Sequence, residues 1–291
     1  MTVYIMGDFP SALKFELGIY VDQFVRWAKL NFDGFFELIK KVSLALLLNV
    51  EKLLLLIPWW LFIALVFILG WRIKNWKTGL LYSATIFLIG TFGLWEELMT
   101  TLALVISAVI ISLIIGIPAG ILTAYSNKLE MILKPILDAM QTMPSFVYLI
   151  PAIMLFSLGL VPAVFATTIY AIPPVLRLTN LAIRSVPKEM KEAALSFGSS
   201  RWQTLFKVEL PQALPTIMTG INQTIMMAIS MVVTTSMVGA RGLGLNVIKS
   251  INQIDIAMGF EAGISIVIMA VILDRITQGM AEKFRYPESS E

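Results

Sequence analysis

Cysteine and histidine are absent from the 291 residues, and charged residues make up only 14% of them. Without cysteine there are no disulfides and no thiolate chemistry, and without histidine there is neither an imidazole base nor a histidine-based metal site. Soluble domains carry about 25% charged residues, so this chain has too little polar surface to meet water on all sides. It is instead apolar, with 58% hydrophobic residues and a mean hydropathy of +0.84. Such a composition belongs in a bilayer. The net charge of +3 points to no nucleic-acid partner. An intramembrane enzyme would have no paired carboxylates inside the apolar runs to work with, so no catalytic and no metal residues are expected.

Windows able to cross a hydrocarbon core about 30 Å thick fall at 54–70, 79–95, 98–125, 131–157, 160–183, 211–239 and 259–278. A lipid-exposed segment must satisfy its own backbone hydrogen bonds, and these runs are too long for barrel strands, so an all-α polytopic membrane protein of about seven helices is expected. Trp59, Trp60, Trp71, Trp76 and Trp95 sit at the proposed ends, as an aromatic belt requires. Seven crossings place fourteen basic residues on one side: Arg72, Lys74, Lys77, Lys128, Lys134, Arg177, Arg184, Lys188, Lys191, Arg201, Lys207, Arg275, Lys283 and Arg285. Only Arg241 and Lys249 fall in connections on the other. The first side, which includes the C-terminus, is therefore expected to be cytoplasmic.

The N-terminus is then external, although residues 1–53 carry Lys14, Arg26, Lys29, Lys40, Lys41 and Lys52. Phe35–Leu56 is interrupted by Lys40, Lys41, Glu51 and Lys52, each costing about 2.5–3.5 kcal/mol at mid-membrane, and reads better as a helix lying on the surface. Residues 1–30 show no signal-peptide pattern, so none is expected to be removed. The organisation expected is an interfacial segment at 1–53, two additional spans at 54–96, a core at 97–280 with a polar loop at 186–211, and a tail at 281–291.

That loop contains the stretch EAALSFGSSRWQTLFKVELP, residues 192–211. Pro187 suits a first helical turn. Met190, Ala193, Ala194 and Phe197 follow at helical spacing, opposite Lys188, Glu189, Lys191 and Glu192. Gly198 is placed to stop this helix by taking positive φ, and Ser200 with Gln203 has capping-box spacing. Trp202, Leu205 and Phe206 form the apolar face of a second short helix, and Pro211 and Pro215 mark the start of the next span. From the residues alone, such a hairpin either packs under the bundle or meets a partner.

Glu192, Ala193, Ala194, three residues, Gly198, nine residues, Val208, one residue and Leu210–Pro211 together resemble the EAA loop of ABC importer permeases, with valine where isoleucine is commoner. The segments Met140–Ala152, Ala171–Ile183, Ile221–Val233 and Val238–Gly244 are similar to the permease subunits of glycine betaine/proline-type importers, the quaternary-amine uptake group, over about residues 97–278. The resemblance implies the type I ABC importer permease fold. It also implies that Glu192, Ala193, Ala194, Phe197, Gly198, Trp202 and Pro211 couple the chain to a separate ATPase. Two copies of the chain would sit on two ATPase subunits, which hold the ATP and Mg, and an extracytoplasmic binding protein would deliver the cargo. The chain itself has no G-x-x-x-x-G-K-[ST] phosphate loop and needs no cofactor of its own.

A betaine-like cargo carries a quaternary ammonium, which aromatic faces attract without a carboxylate. The candidate pathway residues are Gln141, Thr142, Ser145, Phe146 and Tyr148 in the fourth span, and Asn222 and Gln223, beside Thr224, in the sixth. Such polar residues also commonly just join helices. Asp274 and Arg275 read as interfacial charges. Gly239, Gly242 and Gly244 suit tight external turns where a binding protein could be received. Competing readings are a permease for choline, carnitine, proline, histidine or methionine, and an ion-coupled secondary transporter, which would need membrane-embedded carboxylates or inverted repeats.

Overall fold

The computed structural model describes residues 16–283. Lys14, Arg285 and the tail beyond Lys283 lie outside the described residues. Within them the chain is helical, with no strand: α1 (Leu17–Asn31), α2 (Asp33–Leu56), α3 (Trp59–Ile73), α4 (Trp76–Thr91), α5 (Trp95–Tyr125), α6 (Asn127–Thr142), α7 (Leu149–Phe156), α8 (Leu160–Arg184), α9 (Lys188–Ser196), α10 (Arg201–Thr204), α11 (Leu210–Ser236), α12 (Leu243–Gln253) and α13 (Ile256–Lys283).

Four helical stretches are long and apolar enough to cross a membrane: Trp95–Tyr125, Leu160–Arg184, Arg201–Ser236 and Ile256–Glu282, with up to six if two bent pairs each count as one span. The seven expected segments map onto α3, α4, α5, α6–α7, α8, α11 and α13, but three differ from simple rods. Helices α3 and α4 have 15 and 16 residues, roughly 22–24 Å at the α-helical rise, and pair as a short hairpin. The expected start at 54 lies inside α2, because Ile57 and Pro58 are extended and the residue before a proline avoids the helical region. The fourth segment is bent by 114° between α6 and Ser145–Phe156, again where Met143 and Pro144 are extended.

At the centre α8 lies between α5 and α11. Its backbone is approached closely: a Cβ added to Gly116 would lie 2.5 Å from Val175, and one on Gly120 would lie 2.6 Å from Thr179 and 2.7 Å from the Leu176 carbonyl. The Gly116-x-x-x-Gly120 spacing thus does what small residues do between membrane helices. Oγ of Ser112 also donates to the Thr168 carbonyl at 3.1 Å. The main core gathers Leu98, Met99, Val105, Val164, Ala171, Met231 and Leu243 around this crossing.

The contacts define two ends of the bundle. At one, the Gly159 amide donates to the Val238 carbonyl at 2.8 Å and the Leu243 amide to Thr101 Oγ1 at 2.8 Å. At the other, Tyr125 meets Glu209, Arg184 meets the Thr123 carbonyl, and the end of α3 meets the end of α13, with Ile73 against Gly279. Helix α2 belongs to the first end throughout: Phe36 contacts Phe156, and Glu51 accepts from Thr100 at 2.9 Å. It turns 97° into α3. Ser43, Leu47 and Leu54 face the bundle, while Phe35, Leu38, Val42, Leu53 and Leu56 remain exposed, the pattern of a helix laid across the end of the bundle.

Candidate functional site

The 186–211 loop lies at the second end. Helix α9 stops as its glycine dictates: Gly198 has φ +83, its amide donates to the Leu195 carbonyl at 2.9 Å, and the Ser199 amide reaches back to the Ala194 carbonyl at 3.1 Å. This is a Schellman closure, which needs a left-handed residue at that point. The next turn starts with the reciprocal capping box, the Ser200 amide donating to Gln203 Oε1 at 2.7 Å and the Gln203 amide to Ser200 Oγ at 3.3 Å.

The two short helices are not equivalent. Helix α10 does not end before the next span: it runs through a π turn, Leu205–Glu209, straight into α11, giving one continuous helix over Arg201–Ser236. Pro211 sits in the first turn of α11 without stopping it, because the preceding π turn relaxes the backbone geometry that a proline would otherwise disrupt. The expected apolar face also divides. Leu205 is buried with Ala182, Ile183, Ala213 and Ile217, whereas Trp202 stacks on Phe206 with ring centroids 6.1 Å apart and both stay exposed.

Helix α9 has no buried residue. Its apolar side chains do not turn toward the bundle: Met190, Ala193 and Leu195 are exposed, and Phe197 is 92% exposed. Glu192 is exposed too and forms no ion pair with the described residues. The inward positions are Lys191 and Ala194, so the lysine that sequence spacing puts on the polar side is the one facing the protein. Its ammonium donates to the Ile183 carbonyl at 3.0 Å and lies 3.6 Å from the Glu209 carboxylate. Glu209 is 3% exposed and accepts from the Tyr125 hydroxyl at 2.6 Å.

Arg184 strengthens the same end, pairing with Glu130 at 2.9 Å and donating to Asn127 Oδ1 and the Thr123 carbonyl. Arg177 of α8 pairs with Asp138 of α6. Between these two helices opens a hollow of about 360 Å³ whose lining includes Glu130, Lys134 and Arg177. A larger one, about 520 Å³, lies away from it at the α2–α3 bend, lined by Trp59, Phe87 and Trp95 among others.

The first of the two expected pathway clusters reaches the helix that carries the second, because the turn Ser145–Tyr148 packs against α11. Their members have different surroundings. Gln141, Thr142, Phe146 and Gln223 are exposed and Ser145 is half-buried. Tyr148 is buried, its hydroxyl donating to the Met140 carbonyl and its ring 5.4 Å edge-on from Tyr170, so it braces the α6–α7 bend. Asn222 Nδ2 donates to Asp274 Oδ1 at 2.8 Å, which also accepts from Gln278. Asp274, expected as an interfacial charge, also ties α13 to α11. Sequence reasoning did not single out Tyr125 or Glu209. A carboxylate one residue before Leu210–Pro211, at the start of an apolar run, was the signal available.

Comparison with known proteins matches residues 116–285 to the family described as binding-protein-dependent transport system inner membrane component. The chain is 46% identical to the glycine betaine/carnitine transport permease protein of Listeria monocytogenes serotype 1/2a over 94% of its own length and 98% of that protein. It is 44% identical to a glycine betaine transport system permease protein of Bacillus subtilis, covering 93% and 96%. With the glycine betaine/proline betaine permease protein of Escherichia coli the figures are 42% identity, 97% and 79%. In fold it is similar to the MetNI methionine ABC transporter solved in inward-facing conformations, with TM-score 0.59, 21% identity, and coverage of 64% of this chain and 93% of that one.

Proposed function

The chain belongs to the inner membrane components of binding-protein-dependent transport systems, and on that premise we propose that it is the permease subunit of an ATP-driven importer for glycine betaine or a close quaternary amine. It is a transporter subunit and not an enzyme, and its family works with an ATPase and a binding protein. The cargo follows the relatives at 42–46% identity, each named for glycine betaine. Carnitine, named for one of them, is the second candidate.

The observation that carries the coupling assignment is the outward apolar face of α9. A hairpin serving only to pack under the bundle would turn Met190, Ala193 and Phe197 inward, and here they face away. Small Ala193 admits close approach of a partner backbone, with Phe197 and Trp202 as the large apolar contacts and Glu192 as a charge at the rim, while Ala194 lets α9 sit close to its own bundle. ATP and Mg are held by that partner. Two copies of this chain on two ATPase subunits make the working assembly, surrounded by lipid. The coupling end is cytoplasmic, as its excess of basic residues requires. Helices α1 and α2 and the Gly239–Gly244 turn lie at the external end, where the binding protein docks.

Transport then proceeds by alternating access, ATP binding favouring one arrangement of the helices and its hydrolysis the other. The exposed Gln141, Thr142, Phe146 and Gln223, with the half-buried Ser145, line the pathway against the second copy, while Tyr148 and Asn222 hold its walls. Uptake of radiolabelled glycine betaine into proteoliposomes containing this permease, its ATPase and its binding protein tests the reading, with proline and choline as competitors. Saturable uptake that requires ATP on the ATPase side is expected. ATP-driven uptake of a different amine only would overturn the cargo, and uptake without the ATPase would overturn the class in favour of an ion-coupled carrier.

A further inference from the structure

We infer that Lys191 and Glu209, with Tyr125, form the link that carries movement of α9 into the membrane helices. This rests on the reading of 186–211 as the ATPase-docking loop. Helix α9 is joined to the chain through Ser185–Pro187 and Phe197–Ser200, neither of which is α-helical. Among the described residues, Lys191 is the one side chain of α9 with a hydrogen bond or ion pair to the rest of the bundle. A push on the docking helix therefore travels inward through the covalent hinges, through the packing of α9 against α10 and the π turn, and through this lysine.

What the lysine touches makes it more than a tether. Its ammonium holds the Ile183 carbonyl at the end of α8 and faces Glu209 at the base of α11, and Glu209 holds the hydroxyl of Tyr125 at the end of α5. These are the three helices that pack around the centre of the bundle. One side chain thus registers the position of α9 at three helix ends together. The Glu209 side chain is 4% exposed against 25% for Lys191, so the carboxylate depends on these partners: a buried charge that loses its counter-ion is left uncompensated. Displacing α9 with Lys191 attached is resisted by Glu209, and the resistance is delivered to α5 and α11. Glu209 also ends the π turn through which α10 continues into α11, a local irregularity of the kind frequent at functional sites.

The test uses the complete importer in proteoliposomes and reads ATP hydrolysed per radiolabelled glycine betaine transported, with KM for uptake and the amount of assembled complex measured alongside. Glu209→Gln and Lys191→Met are expected to raise that ratio at least about fivefold, the lower end of ordinary coupling between sites, with KM and assembly unchanged. Tyr125→Phe is expected to raise it less. The Lys191→Met/Glu209→Gln double variant should be no worse than the worse single variant, since the two act as one unit, and Lys191→Arg should restore most of the coupling. Transport and hydrolysis falling together in proportion to intact complex, or defects that multiply in the double variant, would overturn the link. Gly198→Pro separates the two levels: if it uncouples while Glu209→Gln and Lys191→Met stay coupled, only the link fails, and if it too stays coupled, the docking-loop reading fails.

Discussion

The two ends of the bundle are built from different materials. At the coupling end, helices are joined by charged and hydroxyl side chains: Tyr125 to Glu209 to Lys191, Arg184 to Glu130, Arg177 to Asp138. At the opposite end, beside the hydroxyls of Thr100 and Thr101, backbone meets backbone at close range and no ion pair joins one helix to another among the described residues. Gly159 donates to the Val238 carbonyl, and a Cβ on Gly242 would lie 2.3 Å from Thr101 Oγ1. The Arg184–Glu130 and Arg177–Asp138 pairs join partly exposed groups and break and re-form at modest cost, while the buried Glu209 keeps its partners; a close-packed backbone contact with no room for a methyl group does not deform. On the proposed coupling role, this difference would let the bundle be gripped at one end and moved at the other.

The largest effect should come from breaking the rigid end. Gly242→Leu places a side chain where Thr101 Oγ1 and the Glu97 carbonyl already stand, at a backbone φ of +104, and is expected to destabilise the fold by at least about 1–3 kcal/mol, read as a fall in the thermal midpoint of the detergent-solubilised protein. Gly198→Pro comes next and acts on function: proline fixes φ near −65° against +83 here, and a Cβ there meets nothing. Uptake should fall at least about tenfold, or about 1.4 kcal/mol in coupling, with the bundle's thermal midpoint unchanged. Glu192→Lys is smaller. Reversing an exposed carboxylate that has no ion pair among the described residues should weaken ATPase binding by about 0.2–1 kcal/mol, the range of exposed pairs, in a salt-dependent manner measurable by titrating the ATPase. The smallest effect is expected from Gln223→Ala, which touches no internal bond and should change KM for betaine while leaving stability within about 0.5 kcal/mol.

What could be read from the sequence follows the range of the forces involved. The long apolar runs and the Ser200–Gln203 and Gly198 signals depend on neighbours a few residues away, and the helices and caps stand where those patterns place them. The bend at Met143–Pro144 was within reach of the proline rule, but its size, 114°, was not, because the length of 131–157 suits a single crossing. Pro211 does stand in the first turn of α11, but that α10 would run into it through a π turn was not legible. The coupling link was not legible. Lys191 belongs by helical spacing to the polar side of α9, and its turn toward Glu209 and Ile183 is set by where α5, α8 and α11 end in space. Asn222 and Tyr148 look from sequence like cargo contacts for the same reason: their partners, Asp274 and the Met140 carbonyl, are 52 and 8 residues away.

The contrast between the ends can be tested directly because the chain has no native cysteine. Phe197→Cys and Leu158→Cys place single thiols at positions 92% and 72% exposed, at the coupling and opposite ends. Each is labelled with a benzophenone maleimide and irradiated in the assembled importer. Cross-linking to the ATPase is expected from position 197 and not from 158. Cross-linking to the ATPase from position 158, or none from 197 in an importer that transports, would contradict it.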